Sequence, residues 1–383
     1  MAIRINHILF ALTFPGTILY YVAISQHAIP PISAGFFGLM CILSLTLALP
    51  MYVGETLKTG KIQLIDSAFF FFLGAFALIV IWHGVQSEDN SLMSWHLASI
   101  AQSIAVFVLC KKTFSTKENG STLITIFWLA ASACILIFSE NGRFALRSMV
   151  TDAGIIPSYQ TFALCYMVTT IFVATRVHLR PLRYIVHLLA LICLYVNSAR
   201  SEFAGYMFFA AVLEFLSHKK KSTPIILAFI TLGLAFLAIT SEAVKLPESR
   251  ITALADLQND YSSNERDRMS GEGIKKIFDS PITGAYGQYE EGGYIHNIMS
   301  VWQETGLPGA LFFIFILLTP ALRGMVDVLS GESSHLSLAG LSLILTTILL
   351  LIAGKYFTYL LVPTALALYS ASKRKPIQSY KGV

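Results

Sequence analysis

The sequence predicts an all-α polytopic membrane protein, and three observations carry that expectation. Of the 383 residues, 55% are apolar and only 13% are charged. The mean hydropathy of +0.66 lies far outside the soluble globular range. Apolar runs recur at about the 20-residue length that a bilayer-crossing helix needs.

Twelve spans are read, at about 7–25, 32–54, 67–85, 96–110, 122–139, 157–175, 182–198, 202–217, 223–241, 302–322, 336–353 and 356–371. The chain divides into 1–241 with spans one to nine, a long loop at 242–301, and 302–383 with spans ten to twelve and a tail. Arg4 precedes the first span and no small-residue cleavage pattern follows it, so it reads as a retained anchor.

An even number of spans puts both termini on one side. That side, with its alternate loops, holds 17 of the 27 Lys and Arg residues. Cytoplasmic loops carry the excess of positive charge, so both termini are expected in the cytoplasm and the long loop outside. The net charge of +5 follows largely from this bias and implies no nucleic-acid partner. Cys41, Cys110, Cys134, Cys165 and Cys193 all fall within or at the ends of spans, without a CxxC pair, so neither disulfides nor thiolate metal sites are expected.

Two places break the succession of spans. Asn197-Ser198-Ala199-Arg200-Ser201-Glu202 is a tight outer turn with one charge of each sign at the membrane edge. In the long loop, Ser262-Ser263-Asn264-Glu265 offers a capping-box start for a helix to about Phe278, weakened by Gly271 and Gly273 and stopped by Asp279-Ser280-Pro281. Residues Gly284 to Gly293 are rich in glycine and tyrosine. They suit either a plain linker or a segment that stacks on sugar rings.

Arginine is the natural ligand for a phosphate at a membrane edge, because its guanidinium stays charged and offers a planar fork of donors. The outer set is Arg143, Arg147, Arg200, Arg250, Arg266 and Arg268. The competing reading is that each snorkels to lipid headgroups or pairs with neighbours such as Glu202 or Glu265. His296 stands where the loop returns to the membrane. An unperturbed histidine titrates near neutral pH and can take a proton from a hydroxyl; the competing role is a structural hydrogen bond. His187 sits inside a span, where a satisfied structural role is expected, while His27, His83 and His96 near the outer edge stay open. No outer cluster has metal-ligand spacing, no intramembrane Asp or Glu stands out as a proton carrier, and neither a P-loop nor a dinucleotide fingerprint occurs.

Three motifs between about 190 and 320 resemble the O-antigen ligase and O-antigen polymerase superfamily of bacterial envelope glycosyltransferases. The first is Ile295-His296-Asn297 running to Gly306-Leu307-Pro308-Gly309 and an apolar stretch. The second is Arg266, a fourteen-residue spacer, then Pro281-Ile282-Thr283-Gly284; Arg268 does not fit the spacing. The third is the small-residue turn with Arg200. The spacer between Asn297 and Gly306 has eight residues where ligases have nine, which favours the polymerase branch.

The resemblance implies a GT-C-like membrane enzyme of the bacterial inner membrane, with short helices in a periplasmic loop and its site facing the periplasm. It implies transfer of a glycan from undecaprenyl diphosphate to a sugar hydroxyl, without metal or cofactor and with inversion. His296, Arg266 and Arg200 would be catalytic, with Arg143, Arg147, Arg268, Tyr294 and Asn297 binding substrate. The expected partners are the lipid-linked oligosaccharide, membrane lipids and, for a polymerase, a chain-length regulator protein. The alternatives are a ligase acting on lipid A-core and, from another class, a twelve-span secondary transporter.

Overall fold

The computed structural model describes residues 5–32, 35–60, 62–87, 90–116, 120–140, 142–144, 146, 156–218, 261–289 and 293–373. The expected span 223–241, the long loop from 242 to 260 with Arg250, Arg147 and Gly292 lie outside the described residues. Those described form helices and no strand. In chain order they are α1 Ile5–Thr13, α2 Pro15–Ser25, α3 Phe36–Thr59, α4 Leu64–Gln86, α5 Ser91–Ser115, α6 Ser121–Ile137, α7 Tyr159–Arg176, α8 Arg180–Asn197, α9 Arg200–Ser217, α10 Tyr261–Asp279, α11 Met299–Leu329, α12 His335–Ala353 and α13 Leu361–Ser372.

Five of them, α3, α4, α5, α11 and α12, are long and apolar enough to cross a membrane. The bent pair α1 and α2 makes a sixth candidate, and α6 and α13 are shorter apolar helices. The first expected span is therefore broken: α1 and α2 meet at 48°. Pro15 starts α2, and a proline lacks the N–H that a continuous helix needs there. The Thr17 hydroxyl donates to the Thr13 carbonyl at 2.6 Å across the bend.

Between α8 and α9 the chain reverses at Ser198, whose φ of 62° is left-handed and whose N–H returns to the Tyr195 carbonyl. Arg200 then opens α9. Helix α10 persists through Gly271 and Gly273 because a tertiary contact overrides propensity. A Cβ on Gly273 would stand 2.3 Å from Ile295 Cγ1, so glycine lets α10 lie directly on the segment before α11.

Helix α13 packs between α5 and α12, α3 lies on α5, and α12 lies on α9. Residues 361–371 of α13 are buried on every side, which marks a core helix. Apolar side chains instead face outward on α4 and α11, including Leu78 and Leu322, an apolar girdle of the kind lipid covers. Between lipid-bathed helices close packing and hydrogen bonds replace the hydrophobic drive.

The end of the bundle opposite the 280–298 segment carries paired charges. Asp66 of α4 is bound by Lys111 of α5, the Ser370 hydroxyl at 2.6 Å and the Tyr52 hydroxyl at 3.0 Å. Glu214 of α9 is bound by Arg183 and by His187 at 3.3 Å. Helix α5 runs five residues past the expected span end, so Lys111 and Lys112 are helical and buried instead of lying in a loop. Acidic side chains do enter apolar helices, and at this end each has a cation beside it, which compensates the desolvation of both charges.

Candidate active site

The site is built where the chain returns into the bundle. Helix α11 is broken at Gly306, with φ 71° and ψ 179°. In an unbroken helix the Leu307 N–H would bond to the Gln303 carbonyl. Here the Leu307 N–H donates to the Pro281 carbonyl at 3.0 Å, and the Gln303 carbonyl accepts from the Ala285 N–H at 2.7 Å. The Pro281 carbonyl takes a second bond from the Trp302 indole at 2.8 Å. The segment Pro281 to Ala285 thus supplies both partners that the kink leaves without a helical bond.

This interlock joins the two glycine motifs of the sequence. Helix α10 ends immediately before the turn, and its Gly273 contacts Ile295, the residue before His296. The Ile295 N–H donates to the buried Gln303 side chain at 3.3 Å, which fixes the backbone at His296 from below. Arg266 lies on α10, two turns before Gly273. Seven residues make nearly two whole turns, so Arg266 and Gly273 share a helix face.

Arg268 is offset from that face by more than a quarter turn. Its guanidinium binds Glu265 at 2.5 Å and Glu272 at 2.7 Å on the exposed side of its own helix. That pairing holds the Glu265 carboxyl below the usual carboxylate range. Asn297 likewise has a local use: its side-chain oxygen accepts from the Met299 N–H at 2.8 Å and its carbonyl accepts from the Ser300 hydroxyl at 2.7 Å, which caps the start of α11.

His296 packs on Tyr294, the first of a group of aromatic rings. Its ring meets that of Tyr294 at 4.5 Å, and Tyr294 meets Trp95 at 5.6 Å, Tyr356 at 4.7 Å and Tyr289 at 6.2 Å. Of the glycine- and tyrosine-rich segment, Ala285 and Tyr286 are buried and Tyr289 packs on Tyr294, so this described part is not a free linker. Tyr286 is buried against His96 and His83. Burial pushes the Tyr286 and Tyr289 hydroxyls above the ordinary tyrosine range, and the Glu304 carboxylate adds to the effect. Both therefore remain neutral hydrogen-bonding groups.

The second corner of the site is the turn before α9. Arg143 forms an antiparallel backbone bridge with Glu140, and the next residue, Phe144, donates its N–H to the Val196 carbonyl at 2.9 Å. That bond brings Arg143 to the corner where Arg200 begins α9. Glu202 is fully buried, and it is held by Lys355 at 2.6 Å, the Tyr359 hydroxyl at 2.9 Å and the Ser201 hydroxyl at 2.8 Å.

The connection Gly354 to Leu360, between α12 and α13, ties the corners together. Lys355 and Tyr359 reach the Arg200 corner, Tyr356 reaches Tyr294 and His96, and the Phe357 N–H donates to the Ser300 hydroxyl at 3.3 Å. None of these residues was a sequence candidate. The available signal was Lys355-Tyr356-Phe357-Thr358-Tyr359, one cation and three aromatic rings in a connection too short for any domain. Glu304 and Gln303 fall inside the expected span 302–322, and Trp95 stands just before the span 96–110, where single polar or aromatic residues give no local signal.

Among the described residues no three His, Cys, Asp or Glu side chains converge as a metal would require. The arrangement offers a histidine on an aromatic wall, an arginine-bearing helix docked beside it, and a cationic corner at Arg143, Arg200 and Lys355. No protein-family model matches the sequence, and no curated protein matches it either.

Proposed function

We propose that this chain is an O-antigen polymerase. It transfers glycan from undecaprenyl diphosphate to the sugar hydroxyl of another lipid-linked repeat unit. The proposal includes twelve spans, both termini in the cytoplasm of a bacterium, and a site on the periplasmic side of its inner membrane. The observation that carries it is the interlock of Pro281 to Gly284 with the Gly306 kink, because it docks the Arg266 helix beside the His296 segment.

In the proposed reaction the acceptor oxygen forms a bond to the anomeric carbon while the bond from that carbon to the diphosphate oxygen breaks. The diphosphate leaves with the electron pair, and a ring nitrogen of His296 takes the acceptor proton. Diphosphate is already a good leaving group. Arg266, Arg200 and Arg143 therefore need only hold and neutralise it, and orientation supplies much of the remaining rate. The aromatic wall of Trp95, Tyr294 and Tyr356 suits the apolar faces of sugar rings.

The test is the lipopolysaccharide of a strain lacking the gene. A single repeat unit on the core supports the polymerase, and bare core instead favours the ligase. The buried carboxylate of Glu304 is the one observation on the side of a secondary transporter. Saturable solute uptake into proteoliposomes that survives replacement of His296 and Arg266 would favour that reading.

A further inference from the structure

Among the described residues four carboxylates are fully or almost fully buried: Asp66, Glu202, Glu214 and Glu304. The first three are bound by Lys111, Lys355 and Arg183. Glu304 has no cationic partner among the described residues, although it lies in α11 two residues before the Gly306 kink. Tyr289, Tyr356 and the Gly287 N–H are its nearest polar neighbours. Neither of its oxygens completes a well-directed hydrogen bond, and the enclosed Tyr289 hydroxyl completes none. An isolated buried carboxylate is costly unless it can exchange a proton or find a partner.

Beside this group begins a hydrogen-bonded chain of three side chains, Tyr356, His96 and Tyr286. The Tyr356 hydroxyl beside Glu304 bonds His96 Nε2 at 3.0 Å, and His96 Nδ1 bonds the Tyr286 hydroxyl at 2.8 Å. Tyr286 stacks on the exposed ring of His83 at 5.1 Å. A neutral imidazole donates from one nitrogen and accepts at the other. A proton arriving at one side of His96 therefore releases one at the other and reverses the tautomer. The titratable groups facing this hydrogen-bonded chain are His83 from α4, Tyr286, Tyr289 and Tyr294 from the segment before α11, and Tyr356 from the connection before α13.

We infer that Glu304, Tyr356, His96 and Tyr286 form a proton relay joining the buried carboxylate beside the α11 kink to the surface at His83. Its purpose rests on the proposed transferase reading. Each glycosidic bond frees one proton from the acceptor hydroxyl at His296, whose neighbour Tyr294 meets the Tyr356 ring. In each turnover the Glu304 carboxylate takes up a proton and releases it through Tyr356, His96 and Tyr286 to water. Glu304 thereby returns to its starting state, and no oxidant, reductant or further reactant is needed.

The test is infrared spectroscopy of the full-length protein in detergent, at a pH low enough to protonate carboxyl groups. The Glu304 carboxyl band is the one lost in Glu304→Gln, and its shift after transfer into D2O reports proton exchange. His96→Gln keeps one donor and one acceptor but cannot pass a proton, and Tyr356→Phe removes the neighbouring hydroxyl. Exchange is expected to slow at least about tenfold in both, towards the rate of local opening, with the melting temperature of His96→Gln unchanged. Exchange as fast as in the wild type in both variants would overturn the relay. No saccharide takes part, so the relay and the transferase fail separately: slowed exchange in a protein that forms no polymer would leave the relay standing and remove the transferase.

Discussion

Gly284 and Gly306 meet backbone to backbone. A Cβ on Gly284 would stand 2.7 Å from the Gly306 nitrogen, and one on Gly306 would stand 2.0 Å from the Ile282 carbonyl oxygen. Both residues also have positive φ, at 78° and 71°. Neither steric demand can be met by a side chain shifting, because the atoms in the way are backbone.

Gly306→Ala is therefore expected to cost about 2 kcal/mol or more, since a strained left-handed backbone and a backbone clash add. Thermal unfolding in detergent measures it. Gly271→Ala, with open space around its Cβ, is the control and should be neutral or slightly stabilising on a helix.

Lys355 neutralises the fully buried Glu202. Lys355→Met leaves that carboxylate without its cation and should lose about 3 kcal/mol, the usual scale for breaking a buried pair from one side. Combining it with Glu202→Gln should restore much of the loss. Unfolding midpoints of the two single variants and the double variant test this; a double variant as weak as Lys355→Met would show that the pair is not what holds α9 to the connection before α13.

Asn297 caps α11 through its side-chain oxygen. Asn297→Ala should cost about 1 kcal/mol, and Asn297→Asp should retain the cap. If capping is its whole role, Asn297→Asp also keeps polymer formation in cells. Loss of polymer in a stably folded Asn297→Asp would assign Asn297 to substrate.

Arg268 is bound by Glu265 and Glu272 on an exposed helix face. Exposed pairs of this kind carry little energy, so Arg268→Ala should leave both melting temperature and polymer length unchanged. A loss of polymer matching that of Arg266→Ala would mean that the register of α10 does not select between the two arginines.

The sequence makes the helical class, the long apolar helices α3, α4, α5, α11 and α12 and the α10 helix legible, because periodicity, length and the Asp279-Ser280-Pro281 stop are local signals. It also places Arg266, Pro281 to Gly284, His296 and Gly306 in a meaningful order. What it conceals is long-range. The exchange of hydrogen bonds between Leu307, Gln303, Pro281 and Ala285 arises only when two segments dock. Glu202 and Lys355 are 153 positions apart, and Lys355 reads as one outer cation among ten. Glu304 is hidden because an apolar run masks a single polar residue, and His96, open near the outer edge, takes its meaning from Tyr286 and Tyr356, which only the fold brings to it. The bend at Pro15 was readable in principle, since a proline so early in a span signals a break.

The most direct measurement of the central claim is polymer formation by His296→Ala and Arg266→Ala, each introduced into a strain lacking the native gene and each verified as folded and inserted at wild-type levels. The account predicts that both variants leave single repeat units on the lipopolysaccharide core, while Arg268→Ala restores the full ladder. Normal ladders from both His296→Ala and Arg266→Ala would contradict it.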